Sequence, residues 1–167
     1  TARAKTLTSF QAKCQRKRYV DPMQDVTDTV AVRIITYSVT DRDRVNDLIR
    51  DRFEVKQGED RNPGEDPDRG SSRRGYDCQH LVVTGERPGS ASGWLIAGGD
   101  LQRYFDTCGG LEIQVRTVAA HAWAEFEHDA RYKGDVPPEH ASDLDRRFTL
   151  AAGLLELADR EFSIIRD

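Results

Sequence analysis

The clearest pattern along the chain is an alternation of apolar and polar residues in the segment LEIQVR, at positions 111–116. Successive side chains of a β-strand point to opposite faces, so this segment predicts a strand with one apolar and one polar face. The polar face carries Glu112, Gln114 and Arg116. Thr117 then stands where it can cap a helix that runs to about residue 132. A strand that leads directly into a helix is a rigid support for reactive side chains.

Helices and strands alternate through the rest of the chain. Amphipathic spacing predicts helices over about residues 6–18, 41–52 and 142–165, and a helical turn over 100–106. Apolar runs predict strands over about residues 29–37, 53–56, 80–84 and 94–96. Residues 58–75 contain no large apolar side chain, which predicts a long loop. This order favours one α/β or α+β domain over residues 1–167, with a central sheet and a long C-terminal helix.

The charge distribution distinguishes the first segment from the rest. The net charge of −4 argues against a general nucleic-acid binder. Up to Val20, however, the chain contains basic residues and no acid, which indicates an anionic partner. Lys5, Ser9 and Lys13 are spaced by four and would share one helical face. A hydroxyl between two ammonium groups suits a polyphosphate.

The cysteines and the hydropathy bear on the compartment. Cys14, Cys78 and Cys108 have unrelated spacings, so they predict neither a zinc site nor a disulfide framework. That usage fits a reducing compartment, and we expect a cytoplasmic site of action. No apolar run approaches the roughly 20 residues of a membrane span, so no membrane partner is expected. Because the chain begins at Thr1, we expect an excised domain, and secretion of a longer parent chain stays open.

Two acids are placed where they could support chemistry on phosphates. Asp28 directly precedes one predicted strand and Glu112 lies on another. Two carboxylates near a polyphosphate site are typical of magnesium-dependent phosphoryl or nucleotidyl transfer. Arg33, on the polar face of its strand, requires a partner or a ligand. Tyr76 follows a glycine beside an arginine-rich loop and could stack on a base.

A metal hydrolase is a competing interpretation of the helix after Thr117. His121, Glu125 and His128 would lie on one face of that helix. Their order is not the H-E-x-x-H of zinc proteases, and such residues on one helix more often form hydrogen bonds. The pattern therefore favours phosphoryl transfer over metal-dependent hydrolysis.

Five motifs in order give the chain a family resemblance. Residues 3–133 resemble the synthetase domain of the RelA/SpoT family, in its small single-domain alarmone-synthetase branch. The first helix is similar to the pattern R-x-K-(S/T)-x-x-S-x-x-x-K. The other matching segments are DTVAVRII from Asp28, GYDCQHLVV from Gly75, EIQVRT from Glu112 and HAWAEFEHD from His121. Each motif alone is weakly specific, whereas five at the family's spacing are highly specific.

The resemblance implies a nucleotidyltransferase-like fold, with a mixed sheet flanked by helices. It also implies transfer of pyrophosphate from ATP to the 3′-hydroxyl of GDP or GTP, with release of AMP. Asp28 and Glu112 would bind Mg²⁺, and Glu112 would activate the hydroxyl. The residues implied for ATP are Arg3, Lys5, Ser9, Lys13 and Arg33. Those implied for the acceptor are Tyr76, His80, Gln114, Arg116 and His121.

Three positions depart from the family pattern. Cys78 replaces the motif serine, Asp77 replaces a basic or amide residue, and Ala31 replaces a glycine. These changes leave the acceptor open, because toxin members of the family use adenine nucleotides or the 3′ end of tRNA. A catalytically inactive nucleotide-binding regulatory module is the alternative from another class. The resemblance also allows two further partners, a second copy of the chain or a protein inhibitor such as an antitoxin. The sequence contains no hydrolase motif.

Overall fold

The computed structural model describes residues 1–56, 78–89, 98–133 and 138–166. The predicted loop over 58–75, the stacking Tyr76, Asp77 and the predicted strand over 94–96 lie outside these residues. The strands are β1 (Ala2–Ala4), β2 (Val30–Thr36), β3 (Phe53–Val55), β4 (Gln79–Glu86) and β5 (Leu111–Thr117). The helices are α1 (Leu7–Lys17), α2 (Pro22–Asp25), α3 (Val39–Arg52), α4 (Gly98–Thr107), α5 (Val118–Lys133) and α6 (Pro138–Arg166).

The five strands form one mixed sheet in the order β1-β2-β5-β4-β3. β1 pairs antiparallel with β2, and β3 pairs antiparallel with β4. The predicted α/β fold with a central sheet, flanking helices and a long C-terminal helix is confirmed. None of the helices in the described ranges is long and apolar enough to cross a membrane.

Short elements and helix starts differ from the sequence prediction. β1 was not predicted, because three residues are too few for a periodic pattern and the strand forms by pairing with β2. Pro22 begins α2, and Pro138 begins α6 four residues before the predicted start at Ser142. Proline suits the first turn of a helix, where its missing N–H has no intrahelical partner. Both prolines therefore begin a helix rather than interrupt one.

Two glycines permit the entry into β5. A side chain at Gly109 would overlap the backbone of Gln24, and the Gly109 N–H donates to the carbonyl of Met23. Gly110 has a φ of +154°, a conformation that L-amino acids with side chains rarely adopt. The close approach at position 109 and the positive φ at position 110 both require glycine directly before β5, the strand that carries Glu112.

The chain divides into two compact units. The first contains residues 1–34, 45–60 and 80–114, and the second contains residues 35–44, 61–79 and 115–167. In the first unit, the apolar face of the sheet borders a cavity of about 480 Å³ together with Ile49 and Phe105. That arrangement directs the alternating polar side chains, Glu112 and Gln114, to the other face of β5.

The second unit is held by packing of α5 against α6. The rings of Trp123 and Phe148 meet edge to face, with their centroids 6.3 Å apart. Ala120 N–H donates to Thr117 Oγ1 at 3.1 Å, which confirms the predicted cap of α5. Thr117 Oγ1 also donates to the buried Asp159 of α6. The cap thus joins the end of β5, α5 and α6.

Candidate active site

Asp28 is held between two lysines in the first compact unit. Lys5 Nζ lies 2.9 Å from Asp28 Oδ2, and Lys13 Nζ lies 2.8 Å from Asp28 Oδ1. β1 pairing and the hydrogen bond from Lys5 N–H to the carbonyl of Thr29 fix Lys5 beside the start of β2. Thr6 caps α1 and so sets the helix that presents Lys13. Both carboxylate oxygens of Asp28 are therefore engaged by an ammonium group.

The two lysines keep Asp28 ionised. Partial burial acts to raise the pKa of this carboxyl, because a charge loses hydration there. The hydrogen bonds and charges of Lys13 and Lys5 act in the opposite direction and prevail, so the pKa of Asp28 is lowered. The site thus contains a stable carboxylate and two cations close enough to meet the same anion.

Glu112 is held by side chains from its own and the neighbouring strand. His80 Nδ1, on β4, lies 2.7 Å from Glu112 Oε1, and Gln114 Nε2 donates to the same oxygen at 3.0 Å. Burial acts to raise the pKa of Glu112, but the hydrogen bonds from His80 and Gln114 outweigh it and the pKa is lowered. Both of these donors to Glu112 contact Oε1. Neither contact occupies Oε2, which could accept a proton or bind a cation.

The two acids influence each other. The charge of Asp28 acts to raise the pKa of Glu112, so the carboxylates lie within electrostatic range of one another. Within the described ranges, no group of three or more His, Cys, Asp or Glu residues is arranged to hold a metal ion. Mg²⁺ commonly binds through one or two carboxylates and completes its shell with water and substrate phosphates. Asp28 and Glu112 would supply the two carboxylates of such a site.

The other residues predicted for ATP lie nearby in the chain but make different contacts. Ser9 Oγ accepts a hydrogen bond from Thr6 Oγ1 at 2.9 Å, and Arg3 is exposed on β1. No hydrogen bond or ion pair in the described part of the chain joins Arg3 or Ser9 to Asp28 or Glu112. Arg33 is half-buried on β2, and its backbone N–H donates to the carbonyl of Thr1 at 2.7 Å.

Two of the residues predicted for the acceptor, Arg116 and His121, belong to the second unit. Arg116 is buried at the end of β5, and His121 lies in the first turns of α5. His121 Nδ1 is 3.8 Å from Glu125 Oε1, beyond hydrogen-bonding distance. These two residues and His128 do not form a metal-binding group in the part of the chain described. Cys78 is buried, so a thiol at the position of the motif serine packs within the protein.

Sequence reasoning missed the pairings within the site and one supporting residue. It assigned the two lysines to the ATP phosphates and His80 to the acceptor. It did not predict that the lysines contact Asp28 or that His80 contacts Glu112. Tyr104 of α4 also received no role, although its hydroxyl donates to the carbonyl of Gly110 at 3.1 Å. Burial, followed by Cys108, raises the pKa of Tyr104 to about 12, so it remains a donor. A lone tyrosine in an amphipathic helix carries no signal of this supporting contact.

Comparison with known structures agrees with the fold and the motifs. Small alarmone synthetase 1 from Bacillus subtilis is 26% identical with a TM-score of 0.65, over 99% of this chain and 77% of that one. The same synthetase bound to its product pppGpp is 26% identical with a TM-score of 0.66, over 99% of this chain and 76% of that one. A GTP pyrophosphokinase family protein from Streptococcus pneumoniae is 26% identical with a TM-score of 0.65, over 100% of this chain and 74% of that one.

Comparison with curated protein sequences gives no significant match. The profile of the region found in RelA/SpoT proteins matches residues 2–136. That match contains β1, both carboxylates, their lysine, histidine and glutamine partners, and α5. The chain therefore belongs to the RelA/SpoT family.

Proposed function

We propose that the chain is a magnesium-dependent ATP pyrophosphokinase that acts on GDP or GTP. The 3′-oxygen of the acceptor attacks the β-phosphorus of ATP, and the bond between that phosphorus and the α–β bridging oxygen breaks. The products are AMP and a nucleotide with a 3′-pyrophosphate. The observation that carries the proposal is the pair of ionised acids, one between two lysines and the other held at a single oxygen by His80 and Gln114.

Glu112 is the proposed base of this reaction. Its Oε2 accepts the proton of the attacking hydroxyl, while His80 and Gln114 hold Oε1. A lowered pKa keeps the carboxylate ionised and ready to accept a proton. The strand position of Glu112 fixes the base on a rigid element, which favours a short, reproducible distance to the hydroxyl.

Lys5 and Lys13 are the proposed ligands of the ATP phosphates. Their long side chains can turn from Asp28 to phosphate oxygens, which offer more negative charge. Asp28 and Glu112 would then hold Mg²⁺, which neutralises charge that develops on the transferred group. Arg3, Arg33 and Ser9 complete the proposed ATP site, in line with the family resemblance.

The relatives support guanine nucleotide as the first acceptor to test. One related synthetase has been solved with pppGpp, and another relative is named a GTP pyrophosphokinase family protein. Tyr76, His80, Gln114, Arg116 and His121 are the proposed acceptor residues. Stacking on a tyrosine does not distinguish guanine from adenine, so the choice between bases rests on hydrogen bonds to the base edge.

An acceptor screen tests the proposal directly. ATP labelled in its β- and γ-phosphates is incubated with Mg²⁺ and with GDP, GTP, ADP, ATP or tRNA. We expect AMP and a 3′-pyrophosphorylated product with the guanine nucleotides. Product on tRNA, lost steeply between low and moderate salt, would instead assign the nucleic-acid acceptor. Absence of AMP release with every acceptor would overturn the proposed reaction.

The second candidate function is nucleotide binding without transfer. Asp77 introduces a negative charge, and the buried Cys78 removes a hydroxyl, both within the motif that follows Tyr76. Titration calorimetry separates the two functions. Tight nucleotide binding with no turnover assigns a regulatory module, and turnover of the bound nucleotides excludes it.

A further inference from the structure

The hydroxyl of Tyr104, on α4, contacts two separate backbone segments in the first compact unit. It donates to the carbonyl of Gly110 at 3.1 Å, directly before β5. It also accepts a hydrogen bond from the backbone N–H of Val30, the first residue of β2. A tyrosine hydroxyl can donate one hydrogen bond and accept others, so a single oxygen atom joins both segments.

These two segments carry the two acids of the site. Asp28 lies two residues before Val30, and Glu112 lies two residues after Gly110. At about 3.3 Å per residue, each acid is only about 7 Å along the chain from the residue that contacts the hydroxyl. Burial is the largest cause of the raised pKa of Tyr104, and the charge of Asp28 also contributes to it. The hydroxyl therefore lies within electrostatic range of that acid.

The contact at Val30 lies on the side of β2 that faces β5. In the sheet, β2 lies between β1 and β5. The carbonyl of Thr29, the preceding residue, accepts from the N–H of Lys5 and so pairs toward β1. Because alternate residues of a strand bond to opposite neighbours, the N–H of Val30 points to the other side. Tyr104 thus bonds β2 at the edge next to the strand that carries the other acid.

Contacts other than this hydroxyl also hold the chain that leads into β5. Gln24 Nε2 donates to the carbonyl of Thr107, and the Gly109 N–H donates to the carbonyl of Met23, both at 3.1 Å. Removal of the Tyr104 hydroxyl alone would keep these contacts and the aromatic ring. The fold would therefore persist, while the starts of β2 and β5 would lose the atom that joins them.

The spacing of the two acids is important because Mg²⁺ requires near-octahedral geometry, with oxygen ligands at about 2.0–2.1 Å. Two carboxylates on separate strands supply such ligands only when the strands are held in one relative position. We propose that Tyr104 is a positioning residue that sets the spacing of Asp28 and Glu112 for Mg²⁺, through its hydrogen bonds to Val30 and Gly110. This inference rests on the proposed function, which assigns the metal to these two acids.

Amide hydrogen exchange tests the bridging contact without any reaction. In Tyr104→Phe, the Val30 amide should exchange about tenfold faster than in the wild type, because its acceptor is lost. The Val32 amide, on the same strand, should keep its wild-type rate and so show that β2 is intact. Tyr37→Phe, the same change at a tyrosine that is 73% exposed, is the matched control and should alter neither amide. An unchanged Val30 rate in Tyr104→Phe would overturn the proposal.

Metal affinity tests the positioning role. With a non-hydrolysable ATP analogue present, Tyr104→Phe should bind Mn²⁺ about tenfold more weakly than the wild type, as measured by electron paramagnetic resonance of the free ion. The Mg²⁺ concentration that gives half-maximal turnover should rise by a similar factor. The affinity for the analogue without metal should stay unchanged, because Lys5 and Lys13 keep their positions.

Two results of this experiment would overturn the role of Tyr104. One is an equal Mn²⁺ affinity in Tyr104→Phe and the wild type. The other is an equal loss of metal-free affinity for the analogue, which would mark a general structural defect. A wild-type chain that binds Mn²⁺ but releases no AMP would instead overturn the proposed reaction, and the two Mn²⁺ affinities would still decide the role of Tyr104.

Discussion

The two carboxylates of the site have the same charge but different surroundings. Asp28 has each of its oxygens against a lysine, whereas Glu112 has one oxygen held by His80 and Gln114. The partners of both acids lower their pKa against the effect of burial. Two different arrangements thus lower the pKa of the two acids, and the direction of the shift alone does not reveal the role of either acid.

The two acids differ in how easily the side chains that contact them can move away. Lysine side chains have several rotatable bonds and carry a full charge, so they can move from Asp28 to an incoming phosphate at small structural cost. His80 and Gln114 lie on strands of the sheet and have shorter reach. We therefore infer that the surroundings of Asp28 rearrange when a nucleotide binds, while those of Glu112 are already in place. Four predictions test this comparison.

The largest expected effect is that of Glu112→Gln on transfer. The amide retains the shape of the side chain but neither accepts a proton nor carries a charge. We expect the turnover number to fall by about a thousandfold or more, with ATP affinity nearly unchanged. Glu54→Gln, the same change at an exposed position of β3, is the matched control and should retain full activity. A Glu112→Gln variant with most of the wild-type turnover would assign the base to another residue.

The next effect concerns divalent cations and the lysines at Asp28. Because both Asp28 oxygens contact ammonium groups, the protein alone should bind Mn²⁺ weakly. A non-hydrolysable ATP analogue should draw the lysines away and tighten Mn²⁺ binding by about tenfold or more. Electron paramagnetic resonance of free Mn²⁺ measures both affinities without any turnover.

The double variant Lys5→Met with Lys13→Met separates this effect from a general loss of structure. It should bind ATP more weakly, yet bind Mn²⁺ more tightly than the wild type when no nucleotide is present. Asp28→Asn should bind Mn²⁺ weakly under both conditions. Tight nucleotide-free Mn²⁺ binding by the wild type would mean that the lysines do not compete with the cation.

The sequence predicted the surroundings of Glu112 better than those of Asp28. The period of two in β5 places Glu112 and Gln114 on the same face, so their contact follows from local geometry. The contacts of Asp28 depend on β1, which is only three residues long and forms by pairing with β2. The choice of His80 as a partner for Glu112 depends on the order of strands in the sheet. Such long-range pairing leaves no periodic trace in the sequence.

A smaller effect is expected from His80→Ala, together with a change in pH dependence. Loss of a side chain that orients a catalytic carboxylate should lower the turnover number by about tenfold to a hundredfold. His80 acts to lower the pKa of Glu112, so its removal raises that pKa. Activity falls as Glu112 takes up a proton, and the acidic limb of the rate profile should therefore move to higher pH. His80→Asn, which retains a donor, should recover part of both losses. An acidic limb that does not move would exclude His80 from the control of Glu112.

The smallest expected effect is that of Gln114→Met. The substitution keeps a side chain of similar length but removes the amide that donates to Glu112 Oε1 at 3.0 Å. A neutral hydrogen bond of this kind contributes about 0.5–1.5 kcal/mol, which corresponds to a loss of about twofold to tenfold in turnover. Because His80 still holds the same oxygen, the acidic limb should move up less than in His80→Ala. ATP affinity should not change, since the amide of Gln114 donates to Glu112 whereas the two lysines contact Asp28. If Gln114→Met reduces the rate more than His80→Ala does, the amide has a direct contact with substrate that outweighs its support of Glu112.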